Sequence, residues 1–219
     1  MSDQGPRDQQ GGRGRRSRLV AWIIFLVGVG LIGLYYFMTV PGSTPQVVTV
    51  PPGDGPKVAL TVAGEGSGEV VIELFDDLAP NHAERILTLV DEGAYDGVVF
   101  HRVIDGFMAQ TGDVEFGREG GDLSRAGMGG SSYPDLAAEF SEEPFVAGVV
   151  GMARSADPDS ANSQFFIMFD TATHLDGQYT AVGRVISGME VVQSIKRGTG
   201  RNGAVTGEPD LIERARVVQ

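Results

Sequence analysis

Residues 100–113 read FHRVIDGFMAQTGD, from Phe100 to Asp113. They hold one arginine, one glutamine and a run of large apolar side chains in fourteen positions. Two short apolar segments flank a glycine-containing turn at Asp105-Gly106, which is the pattern of a strand, a turn and a second strand. On that reading Arg102, Phe107, Met108 and Gln110 come onto a common surface. The surface is a binding cleft with a single cationic hydrogen-bond donor. Each residue also has a plainer reading, since a strand arginine is usually solvated or ion-paired and Phe or Met is usually core. Alternation limits the plainer reading for Phe107 and Met108, because adjacent strand residues point to opposite faces.

Working outward, residues 58–62 and 69–74 read as an opening hairpin across Gly64-Glu65-Gly66-Ser67-Gly68, with Val70, Ile72 and Leu74 on one face. Pro80 starts a helix in which Ala83, Ile86, Leu87 and Val90 follow the i, i+3, i+4, i+7 pattern, and Gly93 ends it. Short strands are expected at 98–104, 107–111, 147–153, 164–168, 180–186 and 212–218, with a short helix at 189–196. Many short strands with only two helices predict an antiparallel barrel or sandwich.

Three further segments accompany the first: Val149-Val150-Gly151-Met152-Ala153-Arg154, Ala161-Asn162-Ser163-Gln164-Phe165-Phe166-Ile167 and His174-Leu175-Asp176-Gly177. Together with 100–113 they closely resemble the cyclophilins, peptidyl-prolyl cis-trans isomerases that bind proline-containing peptides. The resemblance spans 58–219 and none of 1–57. It implies a mainly β fold, a closed eight-stranded antiparallel barrel capped by two helices. It also implies roles. Arg102 matches the catalytic arginine and Gln110 the glutamine beside it. Phe107, Met108, Phe166 and Leu175 match the walls of the proline pocket. Ala153, Arg154 and Gln164 match the neighbouring groove for residues that precede proline.

The chemistry needs few groups. Rotation about an X–Pro bond meets a barrier of about 18–20 kcal/mol from amide resonance and breaks no covalent bond, so no nucleophile, metal or cofactor is called for. An apolar pocket can grip the pyrrolidine ring while a fixed guanidinium hydrogen-bonds the prolyl carbonyl and favours the twisted amide. Lowering the barrier by about 8 kcal/mol accelerates the flip about a millionfold. The function expected is acceleration of X–Pro isomerisation during folding of extracytoplasmic proteins. A non-catalytic proline-peptide-binding or chaperone module is the alternative; Arg102 with Gln110 favours the enzyme.

The chain departs from the family at several points. His174 stands where many cyclophilins carry tryptophan and Tyr179 where many carry histidine; both are expected to touch peptide. Loss of the indole N–H implies weak cyclosporin sensitivity. Arg154 replaces a common asparagine and adds a charge that favours acidic residues ahead of proline. Thr111 replaces a commoner glycine, and the loop from Val114 to Ala126 is longer than usual.

Composition narrows the alternatives. The net charge is −12; residues 1–18 hold five arginines and two aspartates, leaving 12 basic against 27 acidic side chains in the rest. So acidic a body argues against nucleic acid as a main partner. There are no cysteines, which excludes disulfides, thiolate nucleophiles and sulfur-ligated metals. The histidines His82, His101 and His174 form no H-x-H or H-x-x-x-H pair, so no metal site is expected. His101 reads as structural, facing away from Arg102. Ser131 and Ser132 lack a G-x-S-x-G elbow, and the glycines of Gly120-Gly121 and 127–130 lead to no Gly-Lys-Ser/Thr, so they read as a flexible surface loop.

Residues 19–40, LVAWIIFLVGVGLIGLYYFMTV, are 22 uncharged positions, long enough to cross a hydrocarbon core of about 30 Å. Arg13, Arg15, Arg16 and Arg18 precede them, and Tyr35 and Tyr36 lie near the far end. This predicts an uncleaved signal-anchor helix, N-terminus cytoplasmic, with the domain beyond it extracytoplasmic on the periplasmic side. The organisation expected is a basic tail at 1–18, the anchor at 19–40, a linker at 41–57 with five prolines and three glycines, and the domain at 58–219.

Overall fold

The structure is a computed structural model, and residues 53–218 are the ones described. The tail, the anchor segment 19–40 and linker positions 41–52 lie outside them. Among the described residues no helix is long and apolar enough to cross a membrane.

Strands β1 (Lys57–Ala63) and β2 (Gly68–Leu74) form the expected hairpin, in the register Lys57↔Glu73 to Val62↔Gly68. The rest of the sheet comprises β3 (Val98–Val99), β4 (Arg102–Ile104), β5 (Met108–Thr111), β6 (Val149–Met152), β7 (Phe165–Met168), β8 (Ala181–Ser187) and β9 (Leu211–Val218). All pairings are antiparallel, and the nine strands follow the order β3-β9-β1-β2-β8-β6-β7-β5-β4.

This corrects the expected eight-stranded closed barrel: the sheet is a curled ladder of nine strands, and the single strand foreseen at 98–104 is two. The reason lies in pairing. Between Val99 and Arg102 the chain leaves its ladder with β9 and enters the one with β5. The chain bends there. The Phe100 N–H donates to the Asp210 carbonyl and the His101 carbonyl accepts from Val205 N–H, while β3 pairs with β9 and β4 with β5 at opposite ends of the ladder.

Helix α1 (Pro80–Asp91) begins at Pro80, whose missing N–H costs nothing in the first turn. It buries Ala83, Ile86, Leu89 and Val90 and stops before Gly93, which takes φ 66. Leu87, foreseen on the buried face, is only partly buried. The N-cap Ala79 has no side-chain oxygen; Glu139 serves instead, accepting from the N–H groups of Asn81 and His82 at 3.2 and 3.1 Å. The same carboxylate meets Nδ1 of the buried His82, so α1 fastens the long connection between β5 and β6. Helix α2 (Met189–Ser194) ends two residues earlier than foreseen, where Ile195 turns to an extended ψ of 134° and buries its side chain.

The two faces of the sheet carry different clusters. Val58, Leu60, Ile72, Leu74, Val103, Ala109, Phe165 and Ile167 pack with Ile86, Leu89 and Val90 of α1 in the main core. Full burial of each such Leu or Ile contributes about 1.5–3 kcal/mol. The opposite face of β5 and β7 presents Met108, Phe166 and Met168, which join Phe75, Phe145, Val149 and Leu175 in a second cluster. Period-2 alternation divides the two sets: Val103, Ala109 and Ile167 go one way, Met108, Phe166 and Met168 the other.

Candidate active site

The second cluster is the floor of the site. Arg102 stands opposite Gln110 in the β4–β5 register, Gln110 opposite Phe166 in β5–β7, and Phe166 opposite Gly151 in β6–β7. One row across four strands therefore carries Arg102, Gln110 and Phe166 on one face. Gly151 leaves a gap in that row. A Cβ there would lie 2.4 Å from the Phe166 ring and 2.6 Å from the Phe145 ring, so only glycine lets these two rings stack, with centroids 5.9 Å apart.

Around the floor, Phe107 and the exposed His174 stack at 5.8 Å, and Tyr179 meets Phe166 edge-on at 5.8 Å. Leu175 lies below His174 in the same turn and is buried. Phe107 precedes β5 and sits in the turn, which frees it from strand alternation. Met108, expected as a pocket wall, is 1% exposed and packs in the same cluster as Phe166 and Leu175, its sulfur 3.9 Å from Arg102 Nη1.

Arg102 is half-buried, and its guanidinium is held at two corners. Nε donates to the Asn202 carbonyl at 3.0 Å and Nη1 to Gln110 Oε1 at 3.0 Å. Nη2 has no hydrogen-bond partner among the described residues. Gln110 Nε2 donates to Gln164 Oε1 at 3.0 Å, and Gln164 Nε2 to the Gly129 carbonyl at 2.8 Å. This chain of bonds fixes both amide orientations and ends on backbone, so neither glutamine can turn without losing a partner. Burial lowers the Arg102 pKa, though an arginine so placed keeps its charge at neutral pH.

Beside the row lies a groove of about 640 Å³, lined on one side by Ala153, Arg154, Asn162 and Gln164 and on the other by the segment from Gly127 to Ser131. Three of these, Ala153, Arg154 and Gln164, were expected there. The Arg154 guanidinium lies 4.4 Å over the Tyr179 ring and donates to the carbonyls of Ser155 and Gln178 at 3.0 and 2.9 Å. Among the described residues no carboxylate pairs with it. Every residue expected at the site is thus brought to this one face.

Two residues that sequence reasoning quoted without a role shape the groove. Asp113 is fully buried, and its carboxylate accepts from the backbone N–H groups of Glu115, Phe116, Gly127 and Gly129 at 2.7–3.1 Å. Burial by itself raises its pKa; these four bonds outweigh burial and hold it below the ordinary carboxylate value. Part of the glycine-rich stretch read as a flexible loop is therefore pinned, at Gly127 and Gly129, to one side chain. Asn162 holds the next part, accepting from Ser131 N and Oγ at 2.8 and 2.7 Å and donating to Tyr133 O and Asp135 Oδ1 at 3.0 and 2.9 Å. An Asp two or three residues before free N–H groups is a recognisable turn signal; the bonds to Gly127 and Gly129 had no such signal.

His101 is buried beside Asp113. Burial pushes its pKa down to about 4, against the pull of Asp113 and of the Val99 backbone. Among the described residues no group of three or more His, Asp or Glu side chains is placed to hold a metal ion.

The family described as "Cyclophilin type peptidyl-prolyl cis-trans isomerase/CLD" matches residues 57–217. The chain is 62% identical over 153 residues to a probable peptidyl-prolyl cis-trans isomerase of Brucella suis biovar 1, covering 68% of this chain and 78% of the relative. It is 38% identical over 130 residues to the peptidyl-prolyl cis-trans isomerase-like 3 of Gallus gallus, covering 59% and 77%. Among solved structures it resembles a cyclophilin from Hirschia baltica, with a TM-score of 0.59, 28% identity and 73% of each chain covered. A Cryptosporidium parvum cyclophilin type peptidyl-prolyl cis-trans isomerase, solved in the presence of the dipeptide Ala-Pro, shares the fold with a TM-score of 0.62 and 23% identity over 74% of this chain and 99% of that one. The chain belongs to the cyclophilin-type peptidyl-prolyl cis-trans isomerase family and is an enzyme of that type.

Proposed function

We propose that this isomerase acts on proline-containing polypeptides outside the cytoplasm, tethered by the 19–40 segment, and that Arg102 is the group that lowers the barrier. The observation that carries the reading is the guanidinium with Nε and Nη1 bound and Nη2 without a partner among the described residues, set beside an apolar floor. The pyrrolidine ring of a client sits over Phe166 and Leu175, between Phe107, His174 and Tyr179, with Met108 beneath. Arg102 Nη2 then donates to the prolyl carbonyl. As the C–N bond twists, its nitrogen loses resonance and pyramidalises, and a donor already in place stabilises that state without reorganising. Gln110 keeps the guanidinium in its productive rotamer.

The groove of Ala153, Arg154 and Gln164 receives the residues preceding proline. The Arg154 charge, without a carboxylate partner, selects acidic side chains there. Uncatalysed X–Pro isomerisation takes tens to hundreds of seconds, slow enough to limit folding, which is the need such an enzyme meets.

The purified full chain and its Arg102→Ala variant, assayed on an X–Pro peptide, test the mechanism. Turnover is expected to fall about 100- to 1,000-fold with peptide binding kept; wild-type turnover in the variant refutes the role of Arg102. Protease added to spheroplasts tests the topology. Digestion of the domain is expected, and full protection until the membrane is broken overturns the extracytoplasmic placement.

A further inference from the structure

Arg102 is fastened from a second side by a turn of uncommon hand. Asn202 is the only non-glycine residue with positive φ among the described residues, at φ 56 and ψ 29, and Gly203 after it has φ 79. The Ala204 N–H closes the turn on the Arg201 carbonyl at 3.2 Å. A turn with both central residues left-handed is the mirror image of the common type, and Asn-Gly is the pair that tolerates it best. Hand decides direction: the mirror-image turn sends the carbonyl between its two central residues to the opposite face. Here that carbonyl, on Asn202, meets Arg102 Nε at 3.0 Å across 100 positions of sequence.

The turn has no freedom to drift. Gly198 N–H donates to the Val103 carbonyl at 2.9 Å and Val205 N–H to the His101 carbonyl at 3.0 Å, so the segment is tied to the backbone on both sides of Arg102. Ala204 also pairs with Arg102 itself as an isolated bridge. Packing is close. A Cβ on Gly203 would lie 2.3 Å from Ile104 Cγ1, and one on Gly198 would lie 1.9 Å from the Gly203 oxygen.

We propose that Asn202 is a positioning residue of this enzyme: its left-handed backbone aims a carbonyl at Arg102 Nε, so that with Gln110 on Nη1 the guanidinium is locked and Nη2 faces the cleft. The proposal rests on Arg102 being the donor to substrate. A planar guanidinium held at one nitrogen can still swing; held at two, its plane and rotation are set. No side-chain atom of Asn202 enters the argument, so the tolerance of residue 202 for positive φ is the property that matters.

Three variants of the full chain test this. Asn202→Val rejects positive φ, Asn202→Ala resists it less, and Asn202→Gly accepts it freely. Asn202→Val is expected to lower kcat/KM about 10- to 100-fold, chiefly in kcat, with Asn202→Ala between and Asn202→Gly within about threefold of wild type. The NMR signal of the Arg102 Nε–H reads the geometry independently of turnover. It is expected to exchange with solvent about tenfold faster in Asn202→Val, or in Asn202→Ala should the valine variant fail to fold, and near the wild-type rate in Asn202→Gly. An Arg102→Lys background, which has no Nε, is expected to lose less than about twofold more on adding Asn202→Val.

An unchanged Nε–H signal with unchanged kcat overturns the proposal, as does a loss in the Arg102→Lys background equal to that in wild type. Wild-type turnover in Arg102→Ala defeats the catalytic role of Arg102 and the proposal with it. An intact loss in Arg102→Ala beside an inert Asn202→Val defeats the positioning role alone.

Discussion

Gln110 stands directly opposite Arg102 in the β4–β5 register and accepts its Nη1 hydrogen bond at 3.0 Å, while passing its own amide N–H to Gln164. The pair is made by strand pairing, and the amide orientation is made by a third residue. Gln110→Ala removes one of the two restraints on the guanidinium without touching the floor. It is expected to lower kcat about tenfold, with peptide affinity changed by less than threefold and stability by about 1 kcal/mol or less. Single-turnover kinetics beside a urea melt separate these quantities; an equal fall in affinity would show that Gln110 acts mainly as a contact.

His101 makes stability depend on pH. Its folded pKa is about 4, below the ordinary value of 6.5, so between those values the unfolded chain binds more protons than the folded one. Stability therefore rises with pH across that window and is lost as pH falls from about 6.5 towards 4. The effect is about 3 kcal/mol. Urea unfolding at pH 7 and pH 4.5 measures it, and His101→Phe, which fills the same buried space without a titrating ring, is expected to flatten the slope.

Asp113 holds four N–H groups and so holds one wall of the groove. Asp113→Ala leaves those donors without their partner, at a cost of about 2–4 kcal/mol in stability. Hydrogen exchange is expected to accelerate at Phe116, Gly127 and Gly129 before any other part of the domain opens. Because the folded carboxyl sits below its ordinary pKa, the wild type keeps this stabilisation above about pH 4 and loses it at lower pH. A variant whose exchange at Gly127 and Gly129 matches wild type would contradict the role.

Gly151→Ala sets a methyl against the Phe145 and Phe166 rings. Overpacking of this kind costs about 1–3 kcal/mol, and the displaced Phe166 ring alters the floor of the proline pocket. Peptide KM is expected to rise about tenfold with a smaller change in kcat. Titration with an X–Pro peptide checks the affinity directly.

The strands, the helices and the hairpin that carries Arg102 and Gln110 were legible because the patterns behind them are local. Val70, Ile72 and Leu74 alternate, Ala83, Ile86 and Val90 repeat at helical spacing, and the Asp105-Gly106 turn announces the hairpin that pairs Arg102 with Gln110. Where a local rule failed, long-range pairing had overridden it. The backbone at Phe100 and His101 turns to Asp210 and Val205 and splits the strand. The stretch from Gly127 to Gly130 reads as loose by composition, yet Asp113 binds it from fourteen and sixteen positions away.

The sequence alone determined the hairpin that faces Arg102 with Gln110, because a turn signal and residue type are properties of short segments; the rest of the site it indicated only through its resemblance to the cyclophilins. Only the tertiary structure decided which guanidinium nitrogen is free, since that depends on Asn202, Gln110, Gln164 and Gly129 meeting across loops that have no period. A hydrogen bond between positions 102 and 202 leaves no trace in the pattern of either segment. It exists because the turn that carries Asn202 is tied to the backbone on both sides of Arg102, which sets the Asn202 carbonyl against Nε.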